Sequence, residues 1–153
     1  MRRHPALRGL SSDHHAGLVI ARTARKAARE GSHARAVAWE EVKQRFVCEL
    51  EEHFRREEQG LLPMLRAAGE ATLAQRTLSE HQTLRKLIAD DRPENLSVFA
   101  ELLAAHIRLE ESELFEIAQY LLGLDVLAQL EPVLTDARRT PHCPKGTDGG
   151  ASA

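Results

Sequence analysis

Residues 53–62 read HFRREEQGLL and residues 106–115 read HIRLEESELF, so the same phrase occurs twice with five of its ten positions identical. In each copy a glutamate follows the histidine by four residues, Glu57 after His53 and Glu110 after His106. That spacing is about one turn of an α-helix and puts both side chains on one face. The phrase therefore predicts two helices that each present an imidazole and a carboxylate together.

The predicted helix face that carries these pairs is otherwise apolar. Residues at core spacing flank the pairs on both helices: Phe46, Leu50, Leu61, Phe99, Leu103 and Leu114. Such a stripe faces the interior of a bundle. Because a buried carboxylate without a partner is costly, the two glutamates need a cation or several donors beside them.

Helix-forming residues dominate the remaining sequence and β-branched runs are scarce, which predicts an all-α fold. Four helices are expected, and their predicted ranges are 13–29, 36–66, 73–90 and a segment ending near 122. Pro63 is expected to kink the second helix or to mark its last turn. Short connections between long helices predict an antiparallel up-down-up-down four-helix bundle.

The predicted domain plan has four parts. Residues 1–10 form an N-terminal arm and residues 11–123 form the bundle, with Ser11, Ser12 and Asp13 as helix caps. A short C-terminal helix is expected within 124–139, and 140–153 has the composition of a disordered tail.

Composition narrows the class of protein. The chain has 153 residues, 42% of them hydrophobic, which suits one domain, and its net charge of −2 argues against nucleic acid or an anionic membrane as partner. No secretory signal and no run long enough to cross a bilayer is apparent, so a cytoplasmic protein is expected. Cys48 and Cys143 lie far apart in sequence, which predicts no disulfide. The oligomeric state cannot be read from the sequence.

The other two predicted helices also carry histidines, His14 and His15 in the first and His81 in the third. Counting from the predicted turns places one histidine of every helix in roughly one layer, together with the two glutamates. Four to five imidazoles and two carboxylates form a ligand set for two first-row metals, and iron is favoured. Zinc, a single metal and a metal-free polar core are the alternatives.

Four stretches resemble the hemerythrin-like HHE cation-binding domains over about residues 10–122. They are SSDHHAGL, EEHFRREEQGLLPML, LSEHQTLRKL and AAHIRLEESELF, in family order. The resemblance implies a carboxylate-bridged di-iron centre. The metal ligands that it implies are His14 or His15, His53, Glu57, His81, His106 and Glu110, with Glu57 and Glu110 bridging.

Two positions within this resemblance need a choice. The helix face through His14 continues with small and apolar residues, which favours it over His15. However, His15 has the same spacing to Leu18 as His81 has to Leu84, so both remain candidates. In the fourth helix, Glu110 is preferred over Glu111 because it repeats the spacing of Glu57 after His53.

The chain departs from the oxygen-carrier hemerythrins at Arg85, where those proteins have a second histidine one turn after the position of His81. Water, a small ligand or a carboxylate such as Glu113 is expected at the corresponding coordination position. Glu52, Glu58 and Glu111 are interpreted as a solvated face, and Arg85 as a residue at the edge of the core.

The leading functional hypothesis is a protein that binds a small diatomic ligand, dioxygen or nitric oxide, or that senses iron or redox state. A di-iron oxidase or peroxidase is the enzyme alternative, and it is less favoured because no separate acid, base or substrate pocket is evident. A structural or regulatory bundle stabilised by metal is the third hypothesis.

Overall fold

The computed structural model describes residues 2–135, which are helical almost throughout and contain no strand. Four helices form the bundle: α1 (Pro5–Ala28), α2 (32–67), α3 (Ala71–Asp90) and α4 (96–122). A shorter helix, α5 (124–135), follows α4 after a break at Gly123, whose φ of 73° and ψ of 168° are not helical. A 3₁₀ turn, Pro93–Asn95, precedes α4.

Helix α1 begins at Pro5, eight residues before the expected start at Asp13. Proline suits the first turn of a helix, since its missing N–H would have no partner there, and the His4 side chain accepts a hydrogen bond from the Ala6 N–H at 3.1 Å. Leu7 and Leu10 are fully buried. Residues 5–10 therefore form the first turns of α1, with Ala6, Leu7 and Leu10 in the core, and Ser11–Asp13 lie inside the helix instead of capping it.

Helices α2 and α4 each contain π-helical turns, in which the N–H bonds to the carbonyl five residues before it. The turns span Phe46–Leu50 and Glu57–Leu61 in α2 and Glu110–Leu114 in α4. Pro63 follows the second of them directly, in the segment Leu62–Ala67. The two glutamates of the repeated phrase thus occupy equivalent places, each opening a π turn.

Two apolar clusters fill the bundle, one on each side of a polar layer. The first includes Trp39, Phe46 and Phe99, and the Phe46 and Phe99 rings meet edge to face with centroids 6.0 Å apart. The second includes Leu7 and Phe115 and extends to α5. All six apolar residues that flank the two His/Glu pairs are buried, as expected: Phe46, Leu50, Leu61, Phe99, Leu103 and Leu114.

The stretch Pro93–Thr135 has the length and hydropathy of a membrane-crossing helix, contrary to the sequence expectation that no such run exists. It is interrupted at Gly123, and its first part carries His106 and Glu110 into the interior of the bundle. Only 22% of the 18-residue window with this hydropathy is buried inside the protein.

Cys48 is disulfide-bonded, which corrects the expectation that the cysteines stay unpaired. Cys143 and the tail expected at 140–153 lie outside the described residues.

Candidate metal centre

The polar layer consists of side chains that are almost fully withdrawn from solvent. Six of the seven residues predicted as ligands lie in it, each at most 4% exposed: His14, His53, Glu57, His81, His106 and Glu110. His15, the alternative to His14, is exposed and takes no part in the layer. Every bundle helix contributes one histidine, and α2 and α4 also contribute the glutamates.

One half of the layer joins the histidines of α1 and α2. His14 Nε2 lies 2.7 Å from Glu110 Oε2, and His53 Nε2 lies 2.9 Å from Glu57 Oε1. The two Nε2 atoms are 3.1 Å apart. One atom from each of these four residues faces a common point, and we refer to them as the first position.

The other half joins the histidines of α3 and α4 in the same way. His81 Nε2 lies 3.2 Å from Glu57 Oε2, and His106 Nε2 lies 2.9 Å from Glu110 Oε1. These four residues are the second position. Both glutamates therefore belong to both positions, because each directs one carboxylate oxygen toward the first position and the other oxygen toward the second.

The atoms at the centre have no hydrogen-bond partner with suitable geometry, although their separations are short. Both oxygens of Glu57 and of Glu110 are in this condition, as are Nε2 of His81 and of His106. Buried polar groups without partners are rare and costly. Ligand atoms about 2.1 Å from one metal ion lie about 3 Å apart when they are at right angles, which matches the observed spacing. The donors thus fit two cations.

A second set of carboxylates holds the outer nitrogen of every histidine. His14 Nδ1 is 2.7 Å from Glu111 Oε1, and His53 Nδ1 is 3.1 Å from Asp13 Oδ2. These contacts run between neighbouring helices. A carboxylate at Nδ1 favours the tautomer that carries its proton there, which leaves the Nε2 lone pair free for a metal.

The same arrangement holds the histidines of α3 and α4. His81 Nδ1 is 2.8 Å from Glu58 Oε1, and His106 Nδ1 is 2.7 Å from Glu80 Oε2. We call these four acids the outer carboxylates: Asp13, Glu58, Glu80 and Glu111. They form a closed ring, because α1 holds the histidine of α2, α2 that of α3, α3 that of α4, and α4 that of α1.

Each outer carboxylate is in turn paired with an arginine. Arg3 pairs with Glu111, Arg56 with Asp13, Arg76 with Glu80, and Arg85 with Glu58, at distances from 2.6 to 3.2 Å. An arginine beside a carboxylate favours its ionised form, so each Nδ1–H has a charged acceptor.

Burial and the neighbouring carboxylates shift the histidine pKa values in opposite directions. Burial lowers the pKa of His81, but short contacts to Glu110, Glu57 and Glu58 outweigh it and raise the value to about 10. For His106, burial is likewise outweighed by the charge of Glu110, and the pKa rises to about 9. A metal ion at this centre therefore has to displace protons from the imidazoles.

Arg85 lies at the edge of the core, as expected, with its side chain 28% exposed. Its guanidinium bonds to Glu51 and Glu58 and lies 5.6 Å from the centre of the Phe54 ring. It is not among the residues whose donor atoms form the second position. Glu113, the carboxylate expected as a substitute ligand, is exposed and does not reach the centre.

The interpretation of Glu58 and Glu111 as solvated residues is wrong, because each holds the histidine of a neighbouring helix. Asp13 and Glu80 were missed as partners of His53 and His106. A signal was present in the sequence: an acid directly precedes both His14 and His81, and an acid directly follows both Glu57 and Glu110.

Imidazole and carboxylate together suit iron, zinc, copper or manganese, and a carboxylate can bridge two ions. Each position has four protein donors and thus leaves coordination places for other ligands when the metal prefers six.

Among known protein families, the one described as hemerythrin HHE cation binding domain matches residues 6–118, a span that includes all four bundle helices up to Ala118. No curated protein and no solved structure matches the chain.

Proposed function

Because the chain belongs to the hemerythrin HHE cation-binding domain family, we propose that it holds two iron ions in its core and binds a small diatomic ligand, dioxygen or nitric oxide. The observation that carries the proposal is the pair of buried groups sharing Glu57 and Glu110. Six buried side chains with inward-facing donor atoms are difficult to explain as a metal-free core.

The roles of the residues follow from their positions. His14 and His53 would hold one iron and His81 and His106 the other, while the two glutamates, which belong to both positions, would bring two negative charges. When bound, an iron pair supplies one-electron redox chemistry and open coordination places for a small ligand. The chain's own residues exclude bulk water, since an apolar cluster lies on each side of the polar layer.

Iron is preferred because the donors are imidazole and carboxylate without thiolate, whereas zinc sites of the structural type commonly use cysteine. The coordination places that the four protein donors of each position leave open support the binding of a small ligand. Arg85 stands where the oxygen carriers have a further histidine, and its contacts with Glu51 and Glu58 direct it outward. Each position accordingly has two histidines and lacks the third nitrogen ligand that a further histidine would supply.

The proposal includes the up-down-up-down order of the four helices. Its support is the order of the apolar clusters along the chain. Helix α1 contributes Leu7 to the second cluster and then Ile20 to the first, whereas α2 contributes Phe46 to the first cluster and then Leu65 to the second. The connections at 29–31, 68–70 and 91–95 are short, which also supports antiparallel neighbours.

The test is elemental analysis of protein purified without a histidine tag, together with a visible spectrum before and after azide is added. Near two irons per chain, and absorption that responds to azide, is the expected result. The matched variants are Glu110→Gln, which should lose iron at both positions, and Glu113→Gln, which should retain it. One zinc per chain, or iron that ignores azide, would contradict the proposal.

A regulatory bundle stabilised by metal is the second candidate, and the ring of outer carboxylates favours it. Since every histidine is held from the neighbouring helix, metal binding would tie all four helices together. In that case iron would raise the thermal stability strongly, while azide and dioxygen would leave the spectrum unchanged.

A further inference from the structure

Helix α5 lies beyond the residues that match the family, yet it packs beside the metal centre. Leu127 and Leu134 are fully buried and belong to the same apolar cluster as Leu61 and Leu65 of α2. The opposite face is open, since Asp125, Gln129 and Pro132 are exposed. The helix is therefore docked on the bundle through one face.

The docking surface includes the π turn that begins with Glu57. A Cβ added at Gly60 would lie 2.8 Å from Leu134 Cδ2 and 3.2 Å from Val133 Cγ1. These distances are shorter than ordinary carbon contacts, so the end of α5 approaches α2 as closely as it does because residue 60 has no side chain. One turn before Gly60, the same helix supplies a shared carboxylate of the centre.

Arg56 makes a direct polar connection between α5 and the centre. Its Nη1 donates to the Leu134 carbonyl at 3.1 Å, and its Nη2 donates to Asp13 Oδ2 at 2.6 Å. The same Asp13 oxygen is 3.1 Å from His53 Nδ1. The guanidinium thus joins α5, at the Leu134 carbonyl, to the acid that holds His53.

The other three arginines do not make this connection within the described residues. Arg3, Arg76 and Arg85 bond to acids that hold other histidines, and their side chains are 19%, 59% and 28% exposed. Arg56 is only 8% exposed. The connection to α5 is therefore specific to the first position.

We propose that Arg56 is a positioning residue that couples the docking of α5 to the occupation of the first metal position. The inference rests on the proposed function, since it requires that a metal binds there. Coupling between two sites is reciprocal: if docked α5 favours metal binding at His53, then bound metal must favour docked α5 by the same factor. A segment outside the family match then responds to metal in the core.

The experiment is hydrogen exchange, measured peptide by peptide on the full chain, with and without ferrous iron under anaerobic conditions. In the unaltered protein, iron should slow exchange across 124–135. Arg56→Met should abolish this slowing and weaken iron binding at the first position, though by less than the loss of about 10- to 100-fold that follows when a direct partner of a ligand is removed. Arg76→Met is the matched control, because it also removes an arginine from an outer carboxylate but should preserve the slowing.

A second variant tests the same coupling between α5 and the first position without changing any charge. Gly60→Val places a branched side chain against Leu134 and should speed exchange in α5 and weaken iron binding at the first position. Circular dichroism confirms that each variant is folded. If α5 loosens in Gly60→Val while iron binding is unaltered, the coupling is overturned.

Two failures are distinguishable. Unaltered protein that binds no iron overturns the proposed function and the coupling together. Unaltered protein that binds two irons without any change in the exchange of 124–135 overturns the coupling alone.

Discussion

At the scale of single residues, neighbouring side chains differ completely in their surroundings. His14 is 4% exposed and faces both glutamates, while His15 is exposed. We expect His14→Ala to reduce the iron content from about two per chain to about one, because the first position loses one of its four donors. Elemental analysis would show it.

The matched control for that prediction is His15→Ala, which changes the same residue type one position along. It should leave the iron content unaltered. Equal losses in the two variants would mean that α1 presents a different face to the core.

The outer carboxylates are expected to act on metal affinity without touching the metal. Glu80→Gln keeps an acceptor for His106 Nδ1 but removes the charge that strengthens this hydrogen bond. Iron affinity should fall by about 10- to 100-fold, as measured by competition with a chelator. Glu101→Gln, at a glutamate that pairs with Arg25 on the surface, is the control and should not change the affinity.

The inner histidines and glutamates could be predicted from the sequence, whereas most of their partners could not. A repeated His/Glu spacing reveals one helix face, because both residues belong to one helix. Glu58 and Glu111 act across helices, on His81 and His14, and that relation depends on how each helix is rotated against the next. A four-residue spacing carries no information about that rotation.

At the scale of the elements, two glycines of α1 allow a direct test of helix packing. Gly9 has nothing within 4 Å of an added Cβ, but at Gly17 such an atom would lie 2.7 Å from Ile107 Cδ1 of α4. Gly9→Ala should stabilise the protein by about 0.5–1 kcal/mol, since alanine favours helix. Gly17→Ala has the same advantage but overpacks the interface, at a cost of about 1–3 kcal/mol.

Urea unfolding of the two variants measures the difference between them. Gly9→Ala should have a higher free energy of unfolding than the unaltered chain, and Gly17→Ala a lower one. Equal stabilisation in both would show that Ile107 moves aside freely and that the contact between α1 and α4 is loose.

The existence of the four bundle helices followed from the sequence pattern, but details of two of them did not. The start of α1 at Pro5 was obscured by the basic residues around it, although the apolar Leu7 and Leu10 continue the stripe of the helix. The π turns that begin at Glu57 and Glu110 could not be predicted, because no residue type marks a π turn in the sequence. Such a turn contains one residue more than an α-helical turn, and whether that residue fits depends on the packing of the neighbouring helices.

At the scale of the whole molecule, the raised histidine pKa values predict how stability depends on pH. The pKa of His81 is about 10 and that of His106 about 9 in the folded chain, against 6.5 ordinarily. Such groups stabilise the fold fully below pH 6.5, and their contribution is lost as the pH rises through these values. Chelator-treated protein should therefore become less stable between pH 6.5 and 10.

Iron should reverse this trend, because deprotonated imidazoles bind the metal and the affinity rises with pH. Thermal unfolding over this range, with chelator and with ferrous iron, tests both statements. Chelator-treated protein that gains stability as the pH rises would show that the histidines are neutral in the folded chain. His81→Gln should flatten the pH dependence.

The ring of outer carboxylates also shows that the bundle consists of two equivalent halves, divided near Gly69. The first half holds His53 through its own Asp13, and the second holds His106 through its own Glu80. Across the division, Glu58 holds His81 and Glu111 holds His14. Each of these four contacts thus has a counterpart in the other half, as a duplicated pair of helices would produce. One half, paired with a second copy of itself, would contain a counterpart of every residue that is proposed to hold the metals.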